Sequence, residues 1–167
     1  MNPRLGLHTI RRRQLTLSGV KPIGKHQWKL EFFWLYGAVS SVTGKSFFWS
    51  FPIKTKLVLK HIYNFFQYNI LMNYTSFKLI THDSHNWGSS ELPDNIILLF
   101  QPPTCLSVNP TERVWEYRKN FLAWSVFSNL DELRIKVQEV LVSFTDRVIG
   151  FLTGWSWILH SLSLSHL

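Results

Sequence analysis

The chain has 167 residues, of which 46% are apolar and 16% aromatic, and a formal net charge of +8. This composition excludes a disordered chain and allows one domain with a hydrophobic core. The single cysteine, Cys105, excludes an internal disulfide framework and favours a reducing compartment. No apolar run reaches the roughly 18 residues of a membrane-spanning helix, and we expect neither a membrane span nor a secretory signal.

Positive charge is concentrated in the first half of the chain. Residues 1–82 carry a net charge of +11, with Glu31 as their one acid, whereas residues 83–167 carry −3. A basic half favours a polyanionic partner such as nucleic acid, because each phosphate contact releases condensed counterions. A solvated basic surface is the alternative interpretation. The candidate DNA contacts are Arg11, Arg12, Arg13, Lys21 and Lys25.

The N-terminal half predicts a hairpin after an irregular entry. Residues 4–27 are polar and basic, with at most one short strand near Leu15–Leu17. The stretch Trp28–Val39 is aromatic and β-branched, Ser41–Lys45 contains a glycine, and Phe47–Trp49 is aromatic again. This order is typical of two strands joined by a turn.

The middle of the chain predicts one helix and two short strands. Apolar residues recur near helical spacing over Leu57–Ile70. Phe77–Ile80 and Asn95–Phe100 are short apolar runs typical of buried strands. The second run ends before Pro102 and Pro103, which cannot donate hydrogen bonds to a sheet.

The C-terminal third predicts helices, and the whole pattern predicts a mixed α/β domain with helices on the faces of a sheet. Asn129, followed three residues later by Glu132, is a helix start signal. One apolar stripe with 3-4-3 spacing comprises Val114, Tyr117, Phe121 and Trp124. The next stripe comprises Leu133, Val137, Val140, Leu141 and Phe144.

Glu112 is the first candidate functional residue. Asn109 could cap a helix whose first position is Pro110, and Glu112 would then complete a capping box. A carboxylate in the first turn is also held stiffly and favoured by the helix dipole, so it could act as a metal ligand. The two roles are compatible.

Asp83 is the second candidate, because it follows a short apolar strand and ligands bind outside the carboxyl ends of strands in open α/β sheets. An Asx turn that closes the strand is the alternative. A metal cluster with His82 and His85 is disfavoured, since residues 82 and 83 point to opposite faces of a strand. Cys105 has no identifiable base nearby in sequence, and we interpret it as a structural thiol.

The stretches 92–103 and 109–117 resemble the DDE transposases of mariner-like bacterial insertion sequences. Their most specific residues are Gln101-Pro102-Pro103 and Asn109-Pro110-Thr111-Glu112-Arg113-Val114-Trp115. Further matches are Arg4–Leu7, Leu35–Val39 with Thr43-Gly44, and Leu152–Trp155 with Ile158-Leu159. The resemblance therefore covers nearly the whole chain.

The resemblance implies an RNase H-like catalytic domain over residues 1–159, with a mixed sheet, flanking helices and an incomplete first strand, followed by a tail at 160–167. It implies a triad of two aspartates and a glutamate that holds two Mg²⁺ or Mn²⁺ ions, with Asp83 as the second acid and Glu112 as the third. The implied reaction is DNA nicking and strand transfer. The implied partners are transposon ends and target DNA in the bacterial cytoplasm at the nucleoid, with no membrane and a homodimer as a candidate assembly.

Several positions depart from the family pattern. Met1-Asn2-Pro3 stands where the family has Asp-Glu-Ser, so the first catalytic aspartate is absent. Ser84 and Gly88 replace an expected Asn and His, and Leu106 replaces a loop proline. The helix-turn-helix region that reads the element's ends is missing as well. We expect an N-terminally truncated transposase domain, inactive as it stands, or a non-catalytic remnant that binds nucleic acid non-specifically.

The altered start has a specific candidate cause. The codons GAT GAA TCC C encode Asp-Glu-Ser, and reading them one nucleotide later gives Met-Asn-Pro, as in Met1–Pro3. We hypothesise a frameshift that is restored before Arg4. Genomic sequence with any base other than G before the ATG would contradict it.

Overall fold

A computed structural model describes five stretches of the chain, which are residues 4–53, 55–69, 77–81, 96–100 and 109–163. Its backbone falls into two compact units, which we describe separately. One unit comprises Ile53–Asn109, and the other comprises Asn2–Pro52 together with Pro110–Leu167.

In the unit Ile53–Asn109, the described elements are a helix, α1, and two strands, β4 and β5. The helix spans Lys56–Asn69, and the strands span Phe77–Thr81 and Ile96–Phe100. The strands pair in parallel, with Phe77 opposite Ile96 and Thr81 opposite Phe100. The helix and both strands were expected from the sequence, and these expectations are confirmed.

The other unit contains a three-stranded antiparallel sheet in the order β1-β2-β3. The strands span Arg4–His8, Trp28–Val39 and Ser46–Phe51, so the predicted hairpin is confirmed. In the central strand β2, Trp34 lies opposite Arg4 of β1. Among the described residues, the part of β2 that follows Trp34 is therefore paired on one side only, by β3.

The β2–β3 turn depends on a glycine. Gly44 has a φ of +75°, which favours glycine over residues with a side chain. Its amide donates to the Ser40 carbonyl at 2.8 Å, and the Ser40 amide donates to Lys45 at 2.8 Å. An added Cβ would also overlap the carbonyl of Asp146, so the turn lies directly against the backbone at the start of a later helix.

Four helices follow in the same unit; the sequence predicts a helical C-terminal third and locates the first two of them. They are α2 (Pro110–Leu122), α3 (Leu130–Val142), α4 (Asp146–Thr153) and α5 (Ser156–Ser163). The start of α3 is capped as expected, because Asn129 Oδ1 accepts a hydrogen bond from the Glu132 amide at 2.9 Å. Oε2 of Glu132 in turn accepts from the Ser128 amide at 2.7 Å.

The hydrophobic core of this unit lies between the sheet and the helices. Strands β1 and β2 contribute Leu5, Leu7, Phe33 and Leu35, and α2 contributes Val114, Trp115 and Leu122. All five residues of the predicted second stripe are buried: Leu133, Val137, Val140, Leu141 and Phe144. That part of the sequence prediction is confirmed.

Two details differ from the sequence prediction. Residues 15–17 form no strand, and the short strand instead lies at Arg4–His8, where it is fixed by pairing with the distant β2. On α2 the buried face comprises Val114, Trp115, Arg118 and Leu122, while Phe121 is 45% exposed. The fold is mixed α/β, as predicted.

Candidate functional site

Glu112 lies in the first turn of α2, as the sequence predicts. The helix begins at Pro110, directly after the buried Asn109. Glu112 is partly buried, and its Oε1 atom is shielded from solvent. A carboxylate at this end of a helix is favoured by the backbone dipole and has little conformational freedom.

The same helix carries a buried cation that the sequence analysis missed. Arg118 is 1% exposed, and its Nε and Nη1 atoms have no hydrogen-bond partner among the described residues. Burial lowers the pKa of Arg118 to about 10, while the charge of Glu112 acts in the opposite direction. The guanidinium Cζ lies 5.4 Å from the centre of the Trp115 ring. The sequence signal that could have revealed this buried cation is its position one helical turn after a core valine.

The other predicted metal ligand, Asp83, lies outside the described residues, as do His82, His85 and Cys105. In the parts of the chain that the structure describes, no three His, Cys, Asp or Glu side chains come together in a way that could hold a metal ion. Glu112 is thus the one predicted metal ligand with a described position. The described residues do not by themselves make up a donor set for two ions.

Other residues of the family-like stretches make packing contacts. The guanidinium of Arg113 lies 3.3 Å above the Trp155 ring, a cation–π geometry. Trp115 packs against Phe48 with ring centroids 5.6 Å apart. The same indole covers the backbone of Gly37, where an added Cβ would lie 2.5 Å from the ring. Two separate family-like stretches therefore meet at Trp115.

The candidate DNA contacts lie in the irregular segment between β1 and β2. Arg11, Arg13, Lys21 and Lys25 are exposed. Arg12 differs, because its Nη2 forms a 2.5 Å ion pair with Glu116 and a 3.1 Å hydrogen bond to the Glu116 carbonyl. This contact fixes the start of the segment to α2.

The arginines border an open groove with a volume of about 730 Å³. Trp124 forms part of its wall and has a φ of +62°, a strained backbone for a residue with a side chain. The Trp124 amide donates to the Ile10 carbonyl at 3.0 Å, and its ring lies against Gly24, where a Cβ would overlap it. The groove is lined by Arg11, Arg12, Arg13, Gln14, Leu15, Pro22 and Trp124.

Within the described ranges, no helix combines the length and the apolar character that crossing a membrane requires.

Comparison with known proteins gives one partial match. Over 44 residues the chain is 41% identical to the uncharacterized protein y4pE/y4sA of Sinorhizobium fredii (strain NBRC 101917 / NGR234). The matched segment covers 26% of this chain and 33% of that relative, so the shared region is about a third of the relative's length. No protein-family profile and no solved structure matches the chain.

Proposed function

We propose that this chain is a fragment of the catalytic domain of a DDE transposase, with Glu112 as a metal-binding carboxylate. The observation that carries this proposal is the position of Glu112, partly buried in the first turn of α2. In chain order, that helix follows the apolar strand β5 and the stretch Gln101–Pro103, as in the family that the sequence resembles. A mixed α/β arrangement is compatible with an RNase H-like domain.

In this proposal, Glu112 supplies oxygen ligands from a stiff position, and Asp83 supplies the second acid. Carboxylate oxygens suit Mg²⁺, which when bound would activate an attacking water or 3′-hydroxyl and stabilise the leaving oxygen. Met1-Asn2-Pro3 offers no carboxylate for the first acid of the triad. We therefore expect weak or no nicking by this chain unless an upstream sequence restores the missing aspartate.

The test is cleavage of supercoiled plasmid DNA by the purified chain in Mg²⁺ or Mn²⁺. Any metal-dependent nicking by the chain should fall to background in Glu112→Gln, because the amide cannot replace a charged ligand. Glu139→Gln removes an equal charge from the exposed face of α3 and should leave nicking unchanged. If no nicking occurs, the chain should be extended upstream to restore the first aspartate. An extended chain that nicks equally well with Glu112→Gln would contradict the role of Glu112.

A second candidate function is non-specific nucleic-acid binding without chemistry. It is favoured by the groove bordered by Arg11, Arg12 and Arg13 and by the exposed lysines nearby. Backbone phosphates supply the energy of such binding and make it strongly dependent on salt. Equal affinity for duplexes of unrelated sequence, together with no nicking by the extended chain, would support this function over the first.

A further inference from the structure

A second, smaller cavity lies at a different place in the unit that contains the antiparallel sheet. It has a volume of about 110 Å³ and lies between strand β1, the second half of α2 and the residues that precede α3. Its polar lining comes from Arg4, His8, Arg118, Lys119 and Ser125. None of its lining residues is acidic, so the cavity combines several potential cations with no carboxylate in its wall.

Arg118 gives this cavity its charge. Its side chain is 1% exposed, and two of its guanidinium nitrogens have no hydrogen-bond partner among the described residues. A pKa of about 10 leaves this group protonated at neutral pH despite its burial. Burial of these two nitrogens is costly, the charge of Glu112 offsets only part of the cost, and an anion in the adjacent cavity would offset more of it.

The other lining groups fit the same kind of ligand. Lys119 is half exposed and forms an ion pair with Glu116 at 3.0 Å, and Arg4 is exposed at the start of β1. The rest of the wall includes apolar side chains such as Leu122 and Leu133, which do not compete with a bound ion for the hydrogen bonds of the charged groups. Such surroundings favour an anion over a cation or an uncharged polar ligand.

The size of the cavity limits the anion. One water molecule needs only roughly 10–15 Å³ of such volume, so about 110 Å³ admits a small ion with some of its hydration. An arginine fork matches the oxygens of phosphate better than it matches a halide, because it can donate two parallel hydrogen bonds.

We propose that this cavity is a binding site for a phosphate group, with Arg118 as its principal ligand and Arg4 and Lys119 at its margin. The group could be free phosphate or the terminal 5′-phosphate of a nucleic acid. None of the residues that line the cavity is a predicted metal ligand, although the charge of Glu112 acts on Arg118, so this site is distinct from the proposed transposase site.

The test is thermal unfolding of the full chain with increasing inorganic phosphate, at ionic strength matched with sodium chloride. We expect the melting temperature to rise saturably, by about 3–6 °C once phosphate reaches ten times its Kd. In Arg118→Met the saturable rise should disappear. This variant removes a buried charge and retains most of the side-chain volume, and circular dichroism checks that it folds. Arg147→Met removes an equal charge from an exposed position and should retain the full rise.

Arg118→Lys provides a second variant, because it keeps the charge and removes the fork; we expect phosphate to bind at least about tenfold more weakly. Equal saturable rises in wild type and Arg118→Met, or no rise in wild type, would overturn the proposal. Two oligonucleotides of one sequence, with a 5′-phosphate or a 5′-hydroxyl, distinguish the sources. If the 5′-phosphorylated oligonucleotide binds more tightly and free phosphate displaces it, the ligand is a nucleic-acid end. If the two oligonucleotides bind equally and phosphate still raises the melting temperature, the ligand is free phosphate.

Discussion

Burial of guanidinium nitrogens that have no hydrogen-bond partner lowers the free energy of unfolding, and Arg118 on α2 has two such nitrogens among the described residues. In buffer that contains chloride but no phosphate, we expect Arg118→Met to raise the free energy of unfolding by about 1–3 kcal/mol. Urea denaturation at pH 7 measures this change. Arg147→Met, at an exposed position, should stay within about 0.5 kcal/mol of wild type. A destabilised Arg118→Met would mean that the charge is better compensated than the described contacts indicate.

The pH dependence of this effect has a definite sign. Burial lowers the folded-state pKa of Arg118 from its ordinary value to about 10, so the folded state holds this proton less tightly than the unfolded state does. The penalty is therefore fully present at neutral pH and is relieved only as the pH rises above 10. The stability gain in Arg118→Met should accordingly not change between pH 6 and pH 9.

Glu116 gives a second prediction, in which the charged side chain raises the free energy of unfolding instead of lowering it. Hydrogen bonds from Lys119 and Arg12 lower the pKa of this carboxyl below its ordinary 4.5. The stabilisation is present above that ordinary value and is lost as the pH falls through the lowered folded-state value. At pH 7, Glu116→Gln should cost about 0.2–1 kcal/mol, because the pairs are exposed.

Chemical denaturation of wild type and Glu116→Gln from pH 7 to pH 3 checks this prediction. The two stabilities should converge at the acid end, and high salt at pH 7 should narrow the gap by screening. A gap that is the same at pH 7 and pH 3 would show that the side chain acts through packing rather than through its charge.

The contacts of single residues also explain why the sequence placed the buried face of α2 incorrectly. A 3-4-3 stripe through Tyr117 and Phe121 is a valid helical pattern, but Trp115 is the residue that reaches the sheet, against Gly37. That contact rotates the helix so that Arg118 faces inward and Phe121 is 45% exposed. Local periodicity could not reveal this, because the decisive partner lies on a strand far away in the sequence.

At the scale of elements, the junction of β2 and α2 depends on the absence of a side chain at Gly37. A Cβ there would lie 2.5 Å from the Trp115 ring, closer than real contacts allow. We expect Gly37→Ala to destabilise the fold by about 1–3 kcal/mol through overpacking. Thermal or urea unfolding measures the loss, and Trp115→Leu in the same chain should restore part of it.

Gly150→Ala is the matched control for that prediction. Gly150 lies within α4, and the nearest atom to an added Cβ is 3.9 Å away, at ordinary contact distance. Alanine is also the better helix former, so this substitution should be neutral or stabilising by up to about 1 kcal/mol. Equal losses at Gly37 and Gly150 would argue against a specific contact with Trp115.

The start of α3 is an element whose position the sequence predicts well. Asn129 accepts the Glu132 amide at 2.9 Å, a local interaction that a pattern of four residues encodes. Asn129→Ala should cost about 1 kcal/mol, whereas Asn129→Asp, which retains the acceptor, should cost little. Comparison of the two denaturation midpoints tests the cap, and equal losses in both variants would exclude it.

Elements specified by distant partners were harder to predict than elements specified locally. The hairpin and α3 have their signals within a few residues, in a glycine turn and an Asn–Glu cap. Strand β1 is only five residues long and carries Gly6, and it is defined by its pairing with β2 more than twenty residues later. Trp115 and Gly44, which lie in the stretches that resemble transposase motifs, make packing contacts and so contribute to the fold.

At the scale of the whole chain, the uneven charge is the property that sequence alone predicts most directly. The predicted DNA contacts lie between β1 and β2, where four of the five basic side chains are exposed. Arg12 is the exception, since its ion pair with Glu116 already satisfies part of its charge. Of the two proposed metal ligands, Glu112 lies within the described residues and Asp83 lies outside them.

The last prediction concerns these exposed charges together. Replacing all four with glutamine should weaken DNA binding to a similar degree for unrelated duplexes, because phosphate contacts carry no sequence information. The slope of the logarithm of the DNA-binding constant against the logarithm of the salt concentration should become shallower by about 2–4. Each lost phosphate contact reduces the magnitude of this slope by roughly 0.9. The four positions are Arg11, Arg13, Lys21 and Lys25.

Fluorescence anisotropy with a labelled duplex at several salt concentrations measures both quantities. The matched control replaces four other exposed cations with glutamine and thus has the same net charge: Lys45, Lys60, Lys136 and Arg147. If the segment between β1 and β2 is the DNA-binding surface, the control should keep most of the slope, apart from a small loss of long-range attraction. Equal losses in the two quadruple variants would mean that DNA responds to the net charge of the chain and not to this segment.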